Sequence, residues 1–197
     1  TNWEIVEDIR ATIKKLGYPE DLVQTVEPEW VKIETSKELM AQCDFILATG
    51  GEALVESAYS SGTPAIGVGV GNTVSIVDGT TDMAKVAEMI VRSKAYDNAT
   101  SCSTENNIIV FESCYDEFVE EFKSYHTYFV NKKEKALLEE FCFGVKANSK
   151  NCAGAKLNAN IVGKPAAWIA EQAGFSVPEG TNILAAECAE VGPKEPL

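Results

Sequence analysis

Cys102 stands among small polar residues, Asn98-Ala99-Thr100-Ser101-Cys102-Ser103-Thr104-Glu105-Asn106-Asn107, directly ahead of the apolar Ile108-Ile109-Val110-Phe111. A cysteine on a polar loop at a strand's mouth has an exposed sulfur, donors nearby and room for a substrate. Thiolates do covalent chemistry when partly exposed and electrostatically supported, and stay inert when buried among apolar groups. Covalent catalysis is therefore open to Cys102; the plain alternative is a small residue in an ordinary helix-to-strand turn.

Two glycine-bearing segments are the next candidates. Gly50-Gly51 follows the apolar run Phe45-Ile46-Leu47-Ala48-Thr49 and precedes a helical pattern carrying Leu54, Val55 and Ala58. Glycines there let a ligand approach the backbone, and the first N–H groups of the helix attract phosphate. A double glycine also makes a plain tight turn, and the full G-x-G-x-x-G pattern is absent. Glu52, in the first helical turn, complements the helix dipole but would repel a closely bound phosphate. In Gly67-Val68-Gly69-Val70-Gly71-Asn72 the alternating glycines strip side chains from one face. That pattern fits close approach of a flat ligand or of another backbone, and equally a bulge or kinked strand.

The one histidine, His126, lies in Lys123-Ser124-Tyr125-His126-Thr127-Tyr128 after an amphipathic helix. It reads as a surface residue rather than a base for a cysteine, and Tyr125, Tyr128 and Phe129 read as packing residues. Cys43, Cys114, Cys142, Cys152 and Cys188 read as structural.

The elements that must hold these residues alternate along the chain. Ile5, Ile9 and Ile13, with Val6 and Leu16, predict an amphipathic helix stopped at Gly17. A short strand is expected over 22–26, and a helix capped by Thr35 or Ser36 and running to about Gln42. Strands over 45–49 and 64–68 enclose the Leu54-Val55-Ala58 helix, which breaks at Gly62. Strand, helix, strand at this spacing is a βαβ unit, so those strands should be parallel neighbours. Then come a strand over 74–77, a helix over 82–94, a strand over 108–111, and helices over 115–125 and 132–141. A polar loop over 144–160, read as a solvated connection rather than a substrate-facing lid, precedes a helix over 166–173 and a strand near 182–186. The chain is α/β.

Composition sets the limits. The 197 residues suffice for one large domain or two small ones, and 45% hydrophobic with 24% charged residues is ordinary for a globular protein. A net charge of -13 and a pI near 4.5 argue against a nucleic-acid or anionic-membrane partner. No apolar run reaches a membrane span, and no signal segment is visible. Six cysteines without C-x-x-C pairs, beside one histidine, exclude the common zinc patterns and predict no bound metal. A reducing cytoplasm fits best. Both ends look unfinished, as in a piece of a longer polypeptide.

Several runs together resemble the CoA-acylating branch of the aldehyde dehydrogenase superfamily. They are Ile46-Leu47-Ala48-Thr49-Gly50-Gly51; Ala58-Tyr59-Ser60-Ser61-Gly62-Thr63-Pro64-Ala65-Ile66-Gly67-Val68-Gly69; Ser93-Lys94 and Asn98-Ala99-Thr100-Ser101-Cys102-Ser103; and Leu157-Asn158-Ala159-Asn160-Ile161-Val162-Gly163, with Gly192-Pro193 at the end. That order spans nearly the whole chain. The resemblance implies the end of a Rossmann-like dinucleotide domain over 1–70, then the beginning of an α/β catalytic domain over 71–197. It implies an oxidoreductase using NAD or NADP, with coenzyme A as co-substrate and an aldehyde or semialdehyde as substrate. Cys102 matches the nucleophile; Thr49, Gly50, Gly51, Val68 and Gly69 match the cofactor-binding positions. Val68 occupies the place where hydrolytic relatives carry a glutamate that activates water, which favours acyl transfer to a thiol.

The sequence departs from the pattern where Glu52-Ala53-Leu54 replaces the usual Pro-Gly-Met, and at Val70, where a proline or small residue is common. The family's module is far longer. Its first dinucleotide half, an oxyanion-hole asparagine and a ribose-positioning glutamate would lie outside this chain, which is expected not to turn over alone. The complete protein is expected to be a homo-oligomer in the cytoplasm or a bacterial microcompartment. Asn98-Ala99-Thr100 and Ser101-Cys102-Ser103 resemble more closely the members that use succinate-semialdehyde or sulfoacetaldehyde, with acetaldehyde next among the candidate substrates. Lys94 and Arg92 are the basic residues available to an anionic one. A degenerate, non-catalytic assembly module of the same fold is the alternative, and a glutamyl-phosphate reductase relative is a third reading.

Overall fold

The first helix, α1 (Asn2–Lys15), places Ile5, Ile9 and Ile13 on one stripe, ends with Lys14 and Lys15 against the negative end of its dipole, and stops at Gly17 in the left-handed region (φ 81°). It belongs to a computed structural model that describes residues 2–145, 152, 155–189, 191, 192, 195 and 197. The chain forms two compact units, Thr1–Val70 and Gly71–Leu197.

In the first unit the strand expected over 22–26 does not form. A 3-10 turn occupies Glu20–Leu22, and Val23 is extended but pairs with no described strand. A second 3-10 turn, Pro28–Trp30, leads into α2 (Ile33–Gln42). That helix starts ahead of the expected Thr35 or Ser36 cap, and the Ser36 hydroxyl instead donates back to the Lys32 carbonyl (3.2 Å). β1 (Ile46–Thr49), α3 (Glu52–Tyr59) and β2 (Ala65–Val68) make the βαβ unit, with the strands parallel and Ile46 opposite Ala65, Thr49 opposite Val68. Ile46, Ala48 and Ala58 are buried, with Met40 and Ala65 against them. α3 lies close on β2 because Gly67 has no side chain. A Cβ there would overlap Val55 Cγ1 and come within 2.9 Å of the Tyr59 ring.

The second unit begins with β3 (Thr73–Val77), α4 (Met83–Ala95) and β4 (Glu105–Val110), again parallel. Asp82 caps α4, its carboxylate accepting from the Lys85 N–H at 2.9 Å. A 3-10 turn at Glu112–Cys114 opens α5 (Tyr115–Ser124). A short strand that periodicity does not announce follows, β5 (Thr127–Phe129), reached through His126 at φ 63°. Three residues are too few to display an alternation, and pairing with β6 (Ile183–Ala185) is what makes them a strand. Between them lie α6 (Lys132–Phe143), α7 (Ala166–Ala173) and a 3-10 turn at Ala159–Ile161. α6 starts in a reciprocal capping box between Asn131 and Glu134 and stops at Gly144, φ 68°.

The main core joins Val77, Met83, Ala87, Ile90, Val91, Cys114, Phe118, Phe122 and Ile183, with Phe118 and Phe122 stacked 5.0 Å apart. A second cluster holds Leu138, Cys142 and Ala173. Of the 144–160 connection, residues 146–151, 153 and 154 lie outside the described residues, so the choice between lid and solvated link falls partly there. Its far end is tied to α6, the Asn158 N–H donating to the Cys142 carbonyl at 2.8 Å. Among the described residues no helix is long and apolar enough to cross a membrane.

Candidate active site

In the first unit the five residues expected at the cofactor, Thr49, Gly50, Gly51, Val68 and Gly69, lie at the carboxyl ends of two paired parallel strands, the usual ligand position in open α/β sheets. Thr49 and Val68 are register partners, and the Gly50 N–H donates to the Val68 carbonyl at 3.0 Å. Gly51 is the residue before α3, with ordinary extended angles (φ -69°, ψ 165°). A Cβ at Gly51 or at Gly69 would meet nothing within 4 Å. Neither strain nor packing requires glycine at these two positions; Gly51 leaves open space at the start of α3, and Gly69 faces open space just past β2. Gly50 differs, since its Cβ would approach Leu54 Cδ2 at 2.8 Å, the end of a flexible side chain. Glu52 is exposed in the first turn.

The alternating glycines resolve into separate tasks. The space at Gly67 is taken by Val55 and Tyr59, that at Gly71 by the backbone of Cys102, and only Gly69 of the three faces open space. Backbone approach thus accounts for Gly71, and helix packing for Gly67.

In the second unit the turn carrying Cys102 is built by polar contacts. After α4 the chain enters Asn98 and Ala99, both left-handed (φ 53° and 62°). Such angles are uncommon for residues other than glycine, Asn being the better tolerated. They are held by Asp97, whose carboxylate accepts from the Thr100 N–H (3.0 Å) and whose carbonyl accepts from the Thr100 hydroxyl (2.7 Å). The Asn98 amide donates to the Gly163 carbonyl at 3.1 Å. Buried Thr104 closes the turn, its hydroxyl donating to the Ser101 carbonyl at 3.0 Å. The Ser101 and Ser103 hydroxyls lie 3.0 Å apart, and Cys102 between them is exposed.

Past the turn, Thr73 pairs with Glu105 but Val74 pairs with Asn107, which leaves Asn106 as an extra residue in β4. Bulges re-aim side chains next to active sites. Lys94 Nζ donates to the Asn106 side-chain oxygen at 2.6 Å, and Asn107 donates to the Asn72 side chain at 2.8 Å. Burial lowers the pKa of Lys94, against the raising influence of Glu105 and Asp97. Lys94 is therefore committed to the bulge, while Arg92 is exposed on α4.

His126 is exposed at the α5–β5 turn, where its carbonyl accepts from the Asn182 N–H at 2.9 Å. Cys114 and Cys142 are buried, and burial pushes the Cys142 thiol up to about 11. Cys43 and Cys188 are exposed and Cys152 half-buried, so burial supports the structural reading for Cys114 and Cys142 alone. Thr73, the bulge at Asn106 and the Asn98–Gly163 link escaped the sequence reading, whereas Gly71 lay in the glycine run read as fitting close approach of a ligand or another backbone. Asn98 beside Ala99 was the one local signal for a left-handed turn; the others depend on pairing across β3 and β4.

The geometry is an α/β scaffold with two parallel strand ends beside a helix start in one unit and an exposed cysteine on a tethered turn in the other. Residues 5–150 match the aldehyde dehydrogenase family. The chain belongs to that family. It is 62% identical over 183 residues to an aldehyde-alcohol dehydrogenase of Streptococcus pneumoniae, covering 92% of this chain and 20% of that protein. Among solved structures it is similar to an acetylating aldehyde dehydrogenase from Geobacillus thermoglucosidasius, with TM-score 0.86 and 36% identity, over 98% of this chain and 41% of that one. A propionaldehyde dehydrogenase of Rhodopseudomonas palustris, solved with bound CoA and an acylated cysteine, matches at TM-score 0.76 and 31% identity, over 91% of this chain and 39% of that one. The chain thus spans a fifth to two fifths of the length of these relatives.

Proposed function

We propose that this chain is the central portion of an NAD(P)-dependent, CoA-acylating aldehyde dehydrogenase, with Cys102 as its acyl carrier. The observation that carries this reading is the exposed Cys102 on its tethered turn, inside the matched residues 5–150. Residues 1–70 supply the end of the dinucleotide domain and 71–197 the start of the catalytic domain.

Gly51 and Gly69 leave the room a dinucleotide needs, and with Thr49, Gly50 and Val68 they would hold it at the strand ends. When bound, the dinucleotide accepts the hydride that leaves the substrate carbon. The Cys102 thiolate adds to the aldehyde carbon, the Cys102 N–H helps to meet the developing oxyanion, and the thiohemiacetal becomes a thioester on loss of hydride. The CoA thiol then displaces Cys102, and acyl-CoA leaves. Val68, half exposed and apolar, offers no base to activate water, so the thioester awaits a thiol. Lys94 is engaged by Asn106, which favours an uncharged aldehyde such as acetaldehyde over an anionic semialdehyde. The complete enzyme is a homo-oligomer of the cytoplasm or of a bacterial microcompartment in this reading.

Acyl exchange tests it without nicotinamide. The full-length protein is incubated with acetyl-CoA or succinyl-CoA and mapped by peptide mass, with Cys102→Ser as control. An acetyl adduct confined to Cys102 is expected, exceeding the succinyl adduct. Adducts spread over the exposed Cys43 and Cys188, or none, would sink the reading in favour of a non-catalytic module.

A further inference from the structure

We propose that Gly71 and Thr73, just ahead of and at the start of β3, are positioning residues that fix the Cys102 carbonyl and thereby aim its thiol. The inference rests on Cys102 being the acyl carrier. A Cβ at Gly71 would stand 2.8 Å from the Cys102 carbonyl oxygen, 3.8 Å from its carbonyl carbon and 3.9 Å from its own Cβ. Two of these are backbone atoms, so no side-chain rotation relieves the contact. Gly71 is not in the left-handed region, and alanine there carries no backbone strain. The absent Cβ has one visible use, to let the Cys102 carbonyl come close.

Thr73 reaches the same oxygen from the other direction in chemistry. Its hydroxyl donates to the Cys102 carbonyl at 3.4 Å, a long hydrogen bond that a methyl cannot replace. One residue makes room for the carbonyl and the other attracts it. β3 is the rigid partner, since it pairs along β4 and ends in buried Val77. The turn, held by single hydrogen bonds and two left-handed residues, is what yields. The carbonyl shares its Cα with the side chain, so displacing it redirects the Cα–Cβ bond that carries the sulfur.

Acyl transfer and simple alkylation separate this role from a structural one. Transfer demands aligned reactants, and a misplacement of about 1 Å costs on the order of a hundredfold. Alkylation by iodoacetamide asks only for an exposed thiolate. In the full-length protein, Gly71→Ala is expected to slow acetylation of Cys102 by acetyl-CoA by about ten- to a hundredfold. Its alkylation rate at Cys102 should stay close to the parent's, and its thermal midpoint should fall by only the few degrees that local overpacking costs. Thr73→Val should slow acetylation several-fold, and Thr73→Ser should restore it. Acetylation and alkylation falling together with the thermal midpoint would overturn the inference, as would a parental acetylation rate in Gly71→Ala. If the parent acetylates another cysteine or none, the acyl-carrier reading itself falls and takes this one with it.

Discussion

Residues 1–70 and 71–197 each lay a helix along a parallel strand pair, yet the two stand on unequal cores. The first buries Ile46, Ala48 and Ala58, and α1 contributes no buried residue. The second gathers strands, helices and two stacked phenylalanines into one nine-residue cluster. Both strand pairs leave one face open. Leu47 and Ile66 are 68% and 53% exposed in the first, Ile76 and Ile109 66% and 52% in the second. Parallel sheets are ordinarily covered on both faces. The difference therefore lies in the covered face: small residues under α3 let backbones approach, while large residues under α4 and α5 carry the hydrophobic stabilisation. The turns proposed for the dinucleotide sit on the thinner scaffold, and the cysteine turn on the thicker.

The largest effect should come from removing a ring in the second unit. Phe118 is 2% exposed and stacked on Phe122. Phe118→Ala is expected to cost about 3–5 kcal/mol by denaturant unfolding. Ile46→Ala, in the smaller cluster, should cost less, toward the lower end of about 2–5 kcal/mol. Equal losses would break the contrast between the cores.

A second substitution tests whether close backbone approach holds the first unit. Gly67→Ala drives a methyl into Val55 and the Tyr59 ring, and threatens the hydrogen bond from the Gly67 N–H to the Tyr59 hydroxyl (2.9 Å). Overpacking of this kind costs about 1–3 kcal/mol. A variant as stable as the parent would show that α3 is free to shift and that the small residues are incidental.

How much of this was legible in the sequence follows from the range of the forces involved. The βαβ order around Gly50 and Gly51 was readable because an apolar run, a glycine stop and a helical stripe are all local. Cys102 was readable for the same reason: polar residues on either side predict an exposed turn. The expected strand over 22–26 failed because extended residues become a strand only when a partner supplies hydrogen bonds, and none of the described strands does. β5 was missed for the converse reason, its partner lying more than fifty residues onward at Ile183. Lys94 looked available to an anionic substrate because it sits near Cys102 in sequence; the bulge at Asn106, a product of pairing with β3, is what occupies it.

The smallest effect concerns how each unit uses a tyrosine hydroxyl. In the first, Tyr59 accepts from a backbone N–H only 8 residues away, a link within one βαβ unit. In the second, Tyr115 donates to Glu187 across 72 residues at 2.6 Å, tying the start of α5 to the segment after β6. That hydrogen bond, with desolvation and the charges of Glu187 and Asp116, pushes the Tyr115 phenol from 10.0 up to about 12. A pKa raised on folding means that the contribution is complete below pH 10 and fades as pH rises through about 12. Phenolate absorbance should therefore show a late component near pH 12 that Tyr115→Phe abolishes. Glu187→Gln keeps an acceptor but removes the charge, so the component should move toward lower pH without vanishing. If the parent and Tyr115→Phe titrate alike, the long-range tie between Tyr115 and Glu187 is absent in solution.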